Sequence, residues 1–375
     1  MNVLVVFGTR PEVIKLAPVV RRLKARANVR VCASGQHREM LQQALAVFGL
    51  MPDIVLDTMS PGGSLNILSS RLLEALDGVL EQEQPDWVLV QGDTTTAFCG
   101  GLAAFHRGVR VGHVEAGLRT GDLNSPFPEE ANRSLLARIA TLHFAPTRLA
   151  AEALRAEGVN EIQIRVTGNT VVDAIHQAQS NWRAGVPVSV PSEIRARLES
   201  GPVVLVTSHR RENFGSVMEA FCRMLARLSE RYPGIQWVFP VHVNPAVREP
   251  VHRLLAHRPN LLLTEPVDYH CSLYLISQAV LVLSDSGGIQ EEAPSFGTPV
   301  VVMREHTERL EGVSAGFATL AGQSPQVIEE AVDAWLNNKA ARSALRARAN
   351  PYGDGSASAR IVAALYDEPF EPFHG

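Results

Sequence analysis

Short apolar runs alternate with helical patterns along the whole 375-residue chain, and this alternation restricts the fold more than any other feature. Runs rich in Val and Leu cover residues 3–7, 29–33, 87–91, 109–113, 142–145 and 163–167. Strands that are buried on both faces of a parallel sheet have this composition. Between the first two runs, residues 11–27 place Val13, Leu16, Val19, Val20 and Leu23 at helical spacing. The pattern predicts an α/β protein with open parallel sheets.

The same pattern begins a second time after residue 202. Residues 182–202 are polar and contain Pro187, Pro191 and Pro202, which is typical of a domain boundary. Further apolar runs follow at residues 203–207, 235–240, 261–264, 280–284 and 300–303. Single hydrophobic cores stop growing near ~250–300 residues. The chain is therefore predicted to form two α/β domains of similar size.

Composition narrows the classes of function. Lys and Arg total 35 and Asp and Glu total 39, so the net charge of −4 does not favour nucleic-acid or anionic-membrane binding. The four cysteines are scattered and form no C-x-x-C pair, which argues against a zinc cluster of that kind and suits a reducing compartment. The chain also lacks a secretory signal and a long apolar stretch, so a soluble, cytoplasmic protein is predicted.

Several common catalytic motifs are missing from the sequence. No G-x-G-x-x-G or G-x-x-x-x-G-K follows a predicted strand, which argues against ordinary dinucleotide and P-loop sites. H-E-x-x-H, G-x-S-x-G and D-x-D are also absent, so metal-dependent sugar transfer of the D-x-D kind loses support. A ligand must instead be bound by individually placed side chains.

Both halves carry Arg and Glu just after their first predicted strand. Arg10 and Glu12 stand in GTRPE, and Arg210 and Glu212 stand in SHRRE. Ligands of open α/β sheets bind at the carboxyl ends of strands, so a cleft between two facing sheets is the expected site. In the first half, Arg10 and Lys15 suit phosphate binding as well as they suit an ordinary helix start.

Three acidic residues of the first half follow predicted strands or begin a helix. Asp93 lies in QGDTTT, Glu115 in GHVEAGLRTGD, and Glu129 beside Glu130 in PFPEEANR. One acid of the Glu129–Glu130 pair is expected to serve only the helix dipole. The run of three threonines after Asp93 exceeds what a helix cap needs and favours function. Acids that converge on one sheet edge are typical of general acid–base chemistry.

The second half contains two candidate nucleotide-binding segments. His209 stands beside Arg210 and Arg211, a combination that suits a diphosphate, and His242 is a weaker candidate. SDSGGIQEEA places Gly287 and Gly288 between a buried strand and a helix, where backbone N–H groups can approach a phosphate. The acids at 291 and 292 follow one turn later and suit the hydroxyl groups of a ribose.

Taken together, the motifs resemble the bacterial non-hydrolysing UDP-N-acetylglucosamine 2-epimerases almost from end to end. The motifs that carry the resemblance are FGTRPEVIKLAP, GQHREML, QGDTTT, GHVEAGLRTGD, PFPEEANR, TGNTVVDA, SHRRE, PVHVNP, SDSGGIQEEAPSFGTPV, HTER and NPYGDG. The resemblance implies two Rossmann-like domains that face each other across a cleft (GT-B type), with a C-terminal helix that crosses back to the first domain. The implied domains are residues 1–170 with about 356–375, carrying the acids, and residues 171–355, binding UDP.

The resemblance also implies which residues act. The residues implied to be catalytic are Asp93, Glu115, Glu129 and His209. The residues implied to bind the UDP-sugar are Arg10, Lys15, Asp93, Glu115, His209, Ser286, Gly287, Gly288, Glu292 and Arg309. The residues that match an activator site for a second UDP-N-acetylglucosamine are Gln36, Glu129, Arg210 and His242. No metal, no redox cofactor and a homodimer are implied as well.

The sequence departs from the family pattern at three positions. Leu310 follows Arg309 where members usually have Pro, Glu39 stands where some members have Gln, and Gly62 stands where some have Arg. The last two differences bear on the activator site. The resemblance favours an isomerase that interconverts UDP-GlcNAc and UDP-ManNAc. A hydrolysing epimerase that releases ManNAc and UDP, a GT-B glycosyltransferase and a nucleotide-sugar sensor stay as alternatives.

Overall fold

The computed structural model describes residues 1–35, 44–59, 62–210 and 213–375. Its contacts divide the chain into two units. The first consists of Met1–Gln177 with Tyr352–Gly375, and the second of Ala178–Pro351. The domain bounds that the resemblance implies stay a prediction. So does its assignment of the acids to one domain and of UDP binding to the other.

The first unit contains a seven-stranded parallel sheet in the order β3-β2-β1-β4-β5-β6-β7. Its strands are β1 Asn2–Phe7, β2 Asn28–Ala33, β3 Ile54–Val55, β4 Trp87–Gln91, β5 Arg110–Val114, β6 Leu142–Ala145 and β7 Ile164–Val166. Its helices are Arg10–Leu23, Leu65–Glu83, Thr95–His106, Glu129–Ile139, Arg148–Ala156, Ala357–Leu365 and Thr170–Arg183, which leads into the second unit.

Alternate residues of β1 enter two different cores. Val3 and Val5 pack with the helix Arg10–Leu23 and the helix Ala357–Leu365, whereas Leu4 packs with the helices on the other face of the sheet. A strand that is covered on both faces needs apolar side chains at successive positions, because its side chains alternate between the faces. This explains the uninterrupted Val-rich run.

The second unit contains a six-stranded parallel sheet in the order β10-β9-β8-β11-β12-β13. Its strands are β8 Val203–Thr207, β9 Gln236–Pro240, β10 Leu261–Thr264, β11 Ala279–Ser284, β12 Val300–Val302 and β13 Ala318–Leu320. Its α-helices are Ser192–Ser200, Ser216–Arg231, Pro245–Leu255, Tyr269–Gln278, Gly287–Glu292, Leu310–Ser314, Pro325–Leu336 and Lys339–Leu345.

In both sheets the first strand pairs with the fourth: β1 with β4, and β8 with β11. The order in which strands are added across each sheet therefore reverses at this pair. The loops that leave these strands diverge to opposite sides of the sheet. Open α/β folds bind their ligands at such a point. The loops after β1, β4, β8 and β11, together with the helices that follow them, carry most of the candidate residues.

The C-terminal helix Ala357–Leu365 returns to the first unit, as the sequence predicts. Ile361, Val362 and Leu365 are buried in the same core as Leu16 and Val20 of the first helix. The buried carboxylate of Asp173 accepts hydrogen bonds from the backbone N–H groups of Ala357 and Ser358 and from the Ser358 hydroxyl. These N–H groups have no partner inside the helix, so Asp173 fixes where the helix begins.

Candidate active site

The loop after β1 is organised by Glu12, which is 1% exposed. Its Oε2 atom accepts hydrogen bonds from the N–H of Gly8 at 3.0 Å, the N–H of Thr9 at 2.7 Å and the Thr9 hydroxyl at 2.7 Å. Burial raises the pKa of Glu12 to about 7, although these hydrogen bonds oppose the shift. Glu12 therefore stabilises the turn itself. Arg10 occupies the first position of the helix that follows, and its side chain is partly exposed.

The threonines after Asp93 connect this loop to its neighbours. The Thr94 hydroxyl donates to Glu12 Oε1 at 2.8 Å and also caps its own helix by accepting from the N–H of Ala97 at 3.0 Å. The buried Thr96 hydroxyl lies 3.1 Å from the Ser34 hydroxyl. The threonine run, whose length favours function, also has a structural role. Two of its members hold the loops at this edge of the sheet in place.

Asp93 lies directly after the carboxyl end of β4 and is paired with a cation that sequence reasoning missed. Its Oδ2 atom is 2.7 Å from the guanidinium of Arg133, whose side chain is 4% exposed. The side chain of Asn132 donates to the Asp93 carbonyl at 2.9 Å. The sequence signal was available, because Arg133 stands one helical turn after the two acids of PFPEEANR.

The adjacent acids Glu129 and Glu130 differ in their surroundings. Glu130 is 1% exposed, and its Oε1 atom accepts from the backbone N–H groups of Thr120 at 3.1 Å and Gly121 at 3.0 Å. Glu129 is partly exposed, and its Oε2 atom is buried without a hydrogen-bond partner among the described residues. Glu130 therefore holds the preceding loop through its Oε1 atom, and its buried Oε2 atom lies 3.4 Å from Arg133 Nε.

Lys15 and Glu115 form a buried ion pair, with 6% and 8% of the two residues exposed. The side chain of Asn169 also donates to Glu115 Oε2, at 3.4 Å. Glu115 has a φ angle of +64°, the left-handed region that residues other than glycine rarely adopt. A strained residue with a carboxylate at the carboxyl edge of the sheet is typical of a functional site.

His113 supports the segment that carries Asp93. It is 1% exposed, and its Nε2 atom donates to the Gly92 carbonyl at 2.7 Å. Burial, with smaller effects from nearby His143, Arg119 and Arg133, lowers the pKa of His113 to about 3, so its imidazole is neutral at pH 7. This residue was not singled out by the sequence, because its carbonyl partner belongs to a loop on the neighbouring strand.

In the second unit, the buried carboxylate of Asp285 organises the loop after β8. Its Oδ2 atom accepts from the Ser208 hydroxyl at 2.8 Å, the His209 N–H at 3.0 Å, the Arg210 N–H at 3.1 Å and the Asn213 side chain at 2.8 Å. Its Oδ1 atom lies 3.2 Å from His209 Nδ1. Burial would raise the pKa of Asp285, but the hydrogen bonds and the charge of His209 lower it to about 2. Asp285 is a third residue that sequence reasoning did not assign.

The glycine turn and Arg309 lie together, as the sequence-based assignment requires. A Cβ atom added to Gly287 would lie 2.8 Å from Arg309 Cζ, so the guanidinium packs directly on this glycine. Arg309 Nε also donates to Glu291 at 2.9 Å, and Arg309 NH1 contacts Glu308. Glu291 is thus occupied by an arginine. A Cβ atom at Gly288 would lie 3.6 Å from Glu292 Oε1 and 3.9 Å from the Ser286 hydroxyl.

The residues assigned to an activator site are distributed over both units. His242 stacks on His209, with ring centroids 6.0 Å apart, and its Nδ1 atom accepts from the Asn244 N–H at 3.2 Å. Arg210 helps Arg309 and Arg304 to hold the pKa of buried Glu308 far below its ordinary value, against the effect of burial. Gln36 lies outside the described residues, as do Glu39, Arg211 and Glu212.

Two negative findings apply to the residues that the structure describes. No group of three or more His, Cys, Asp and Glu side chains is placed to hold a metal ion within residues 1–35, 44–59, 62–210 and 213–375. In the same ranges, no helix combines the length and the apolar character that crossing a membrane requires.

A comparison with protein families identifies the chain. The family model described as UDP-N-acetylglucosamine 2-epimerase matches residues 21–366. The chain belongs to the UDP-N-acetylglucosamine 2-epimerase family. A probable UDP-N-acetylglucosamine 2-epimerase from Ralstonia solanacearum is 48% identical over 368 residues, which are 97% of this chain and 98% of the relative. The resemblance read from the motifs is therefore confirmed.

Solved structures support the epimerase family and its fold. The UDP-GlcNAc 2-epimerase from Neisseria meningitidis, crystallised with UDP-GlcNAc, is 42% identical, covers 98% of this chain and 100% of its own, and has a TM-score of 0.91. The glycosyltransferase of kitacinnamycin, 15% identical, covers 98% and 99% with a TM-score of 0.63, a likeness of fold alone. With two parallel-sheet α/β domains, the predicted GT-B fold class is confirmed.

Proposed function

We propose that this member of the epimerase family is a non-hydrolysing isomerase that reversibly converts UDP-GlcNAc to UDP-ManNAc. The observation that supports this most directly is the set of paired acids at the carboxyl edge of the first sheet: Asp93 with Arg133, and Glu115 with Lys15. The UDP-GlcNAc bound to the Neisseria meningitidis enzyme supports the choice of substrate. A sensor without turnover has no need of these acids.

The chemistry explains why several acids are required. The proton on C2 of the sugar is not adjacent to a carbonyl group, so its direct removal gives a carbanion that nothing stabilises. The route we propose breaks the bond between C1 and UDP while a base removes the C2 proton. This gives 2-acetamidoglucal and UDP. UDP then adds back to C1 as a proton reaches the opposite face of C2, so atoms and electrons balance without a redox cofactor or a metal.

We assign the proton transfers to Asp93, Glu115 and Glu129 as a group. A base and an acid on opposite faces of C2 need different protonation states, and the three acids have different surroundings: a cation at 2.7 Å for Asp93, a buried Lys15 for Glu115, and a buried oxygen without a partner for Glu129. We assign His209 to proton transfer or diphosphate binding beside them.

We assign UDP binding to His209, Ser286, Gly287, Gly288, Glu292 and Arg309 of the second unit, with Arg10 and Lys15 of the first. Backbone N–H groups at a helix start and nearby cations stabilise the charge on the departing diphosphate. Since Arg309 is already paired with Glu291 and Glu308, its net charge toward the phosphates is reduced. We therefore expect Arg309 to shape the Gly287 turn as well as to attract the ligand.

We also infer that the protein acts in the cytoplasm as a homodimer, with nucleotide sugars as its small-molecule partners and neither nucleic acid nor membrane. The UDP-sugar chemistry of the family supports the location, because nucleotide sugars are made and used there. Sedimentation equilibrium at several concentrations measures the assembly. A mass of one chain at all of them contradicts the dimer and leaves the proposed reaction standing.

One experiment tests the proposed reaction. The protein is incubated with UDP-GlcNAc in D2O and followed by NMR. We expect UDP-ManNAc with deuterium at C2. Free ManNAc and UDP would instead identify a hydrolysing epimerase, and an unchanged substrate would reject both reactions and favour a glycosyltransferase or a sensor.

Variants of the acids test the assignment of roles. Asp93→Asn, Glu115→Gln and Glu129→Gln should lose turnover while UDP binding, measured by calorimetry, persists. The matched control is Glu130→Gln. Its carboxylate holds the Thr120 and Gly121 N–H groups, so this variant should mainly lower the melting temperature. Full activity in all three catalytic variants would disprove the assignment.

A further inference from the structure

The imidazole of His209 lies against the carboxylate of Asp285, and this contact bears on which ring nitrogen carries a proton. Asp285 is 0% exposed and follows the end of β11, and His209 follows the end of the adjacent strand β8. The pKa of Asp285 is about 2, so the carboxylate is ionised at neutral pH. An ionised carboxylate can only accept hydrogen bonds. A lone pair on His209 Nδ1 would repel the carboxylate, so the 3.2 Å contact between Nδ1 and Asp285 Oδ1 favours a proton on Nδ1.

The two carboxylate oxygens of Asp285 have different partners. The Oδ2 atom receives four donors of the loop, and the Oδ1 atom faces the imidazole, with one longer contact to the His209 N–H at 3.2 Å. One oxygen therefore holds the backbone of the loop while the other orients the ring. The Nε2 atom of His209 has no hydrogen-bond partner among the described residues, and the side chain is 42% exposed.

The charged and titratable groups around the ring leave Nε2 as the reactive position. His242 stacks on the ring, and burial and the neighbouring His209 lower the pKa of His242, which favours the neutral form of its imidazole. Its Nδ1 atom is occupied by the Asn244 N–H. The charge of Arg210 helps to lower the pKa of Glu308. In the part of the chain that the structure describes, Asp285 is the acid that forms an ion-pair contact with the ring.

We propose that Asp285 is a positioning residue for the epimerase reaction, which holds His209 through Nδ1 so that Nε2 faces the UDP-sugar. Anchored in this way, Nε2 can accept a proton and, once protonated, donate a hydrogen bond to a diphosphate oxygen without any movement of the ring. A carboxylate that fixes the far nitrogen of an imidazole has this effect on tautomer and orientation in general. The inference rests on the proposed function and adds a residue to it.

The substitution Asp285→Asn separates the two roles of the carboxylate. The amide oxygen can still accept the four donors of the loop, whereas the amide NH2 group would face His209 and donate to Nδ1. The neutral ring then carries its proton on Nε2, where it can donate to a phosphate but can no longer accept a proton. We expect kcat to fall on the order of 100-fold, as for a misplaced reacting group. The Kd for UDP should change by less than about threefold, that is, less than ~0.7 kcal/mol.

A double-variant cycle shows whether Asp285 acts through His209. The rates of Asp285→Asn, His209→Gln and the double variant are compared with that of the unmodified protein. We expect the double variant to be no slower than His209→Gln alone, within about twofold. Losses that multiply would mean that Asp285 acts mainly by holding the loop, and would overturn the proposal.

The nitrogen NMR spectrum of His209 gives a readout that needs neither turnover nor a variant. In the unmodified protein at a pH where the ring is neutral, we expect the shift of a protonated Nδ1 and an unprotonated Nε2. The reverse assignment would overturn the proposal, even if Asp285→Asn fails to fold. If the protein does not turn over UDP-GlcNAc at all, the proposed function fails, and the NMR result still decides the geometry of the pair.

Discussion

The Nζ atom of Lys15 donates a hydrogen bond to the carboxylate of Glu115, a residue 100 positions away, and both side chains are buried. Breaking a buried ion pair by removing one partner leaves an uncompensated charge and typically costs about 3–5 kcal/mol. The pair thus links the helix after β1 to the end of β5. It also gives Lys15 a role in stability, besides the phosphate binding suggested by its sequence position.

Lys15→Met should lower the free energy of unfolding by about 3–5 kcal/mol, because Glu115 is left charged and buried. The double variant Lys15→Met with Glu115→Gln should recover much of this loss, since no net charge remains. Urea denaturation followed by circular dichroism measures both. The control is Arg26→Met, which removes an exposed ion pair with Glu368 and should change stability far less. Equal losses of stability in Lys15→Met and Arg26→Met would contradict a buried ion pair between Lys15 and Glu115.

The φ angle of +64° at Glu115 makes glycine the better replacement there. Glu115→Ala and Glu115→Gly both remove the carboxylate, so their difference isolates the backbone. We expect the glycine variant to be more stable by about 1 kcal/mol, because a Cβ atom is disfavoured in the left-handed region. At exposed Glu152, within the helix Arg148–Ala156, we expect the alanine variant to be more stable than the glycine variant by a similar amount. Melting temperatures of the four variants test this.

Glu12 should make stability depend on pH. Its pKa in the folded protein, about 7, lies above the ordinary value of 4.5, so between these values the folded state binds more protons than the unfolded state. The contribution of Glu12 is therefore greatest below pH 4.5 and is lost as the pH rises through 7, by roughly 3 kcal/mol. Glu12→Gln should remove this slope. The melting temperatures of the unmodified protein and of Glu12→Gln are measured from pH 4.5 to 8, and their difference gives the contribution of Glu12. A difference that stays constant with pH would argue against a raised pKa of Glu12.

The two glycines of the 287–288 turn should respond differently to a methyl group. Gly288→Ala places its Cβ atom at ordinary contact distances, 3.6 Å from Glu292 Oε1, whereas Gly287→Ala collides with Arg309. Both should weaken UDP binding by about tenfold or more, ~1.4 kcal/mol, if the phosphates approach this backbone. Only Gly287→Ala should also lower the melting temperature, because it displaces Arg309 from Glu291 and Glu308. Unchanged UDP binding in Gly288→Ala would place the phosphates elsewhere.

The strands show how far the sequence predicts the fold. Residues 87–91, 142–145, 203–207 and 261–264 were predicted with the bounds that the structure has, and each bound of the other predicted strands differs by at most one residue. The strands Ile54–Val55 and Ala318–Leu320 were missed, as was the helix Ser192–Ser200 within the predicted boundary. Both missed strands lie at sheet edges and have two or three residues, too few to show a period.

The candidate site shows what the sequence leaves open. Glu129 and Glu130 stand side by side in one motif, and nothing local says which of them is bound by the loop at Thr120 and Gly121. Likewise, the motifs mark His209 and Asp93 but do not reveal Asp285 or Arg133 as their partners. His209 and Asp285 are 76 positions apart in the chain, so local spacing does not predict their pairing.

By itself, the sequence determined the two parallel sheets, the family, and the loops that carry chemistry, because apolar runs, helical periods and glycine turns depend on neighbouring residues. The tertiary structure alone decided which carboxylates hold loops and which stay available. Glu12 meets Thr94, and Asp285 meets His209, only because the first and fourth strands of each sheet pair. At those meeting points burial raises the pKa of Glu12, whereas hydrogen bonds and His209 lower the pKa of Asp285 against the effect of burial. The pKa in turn determines what chemistry each acid can perform.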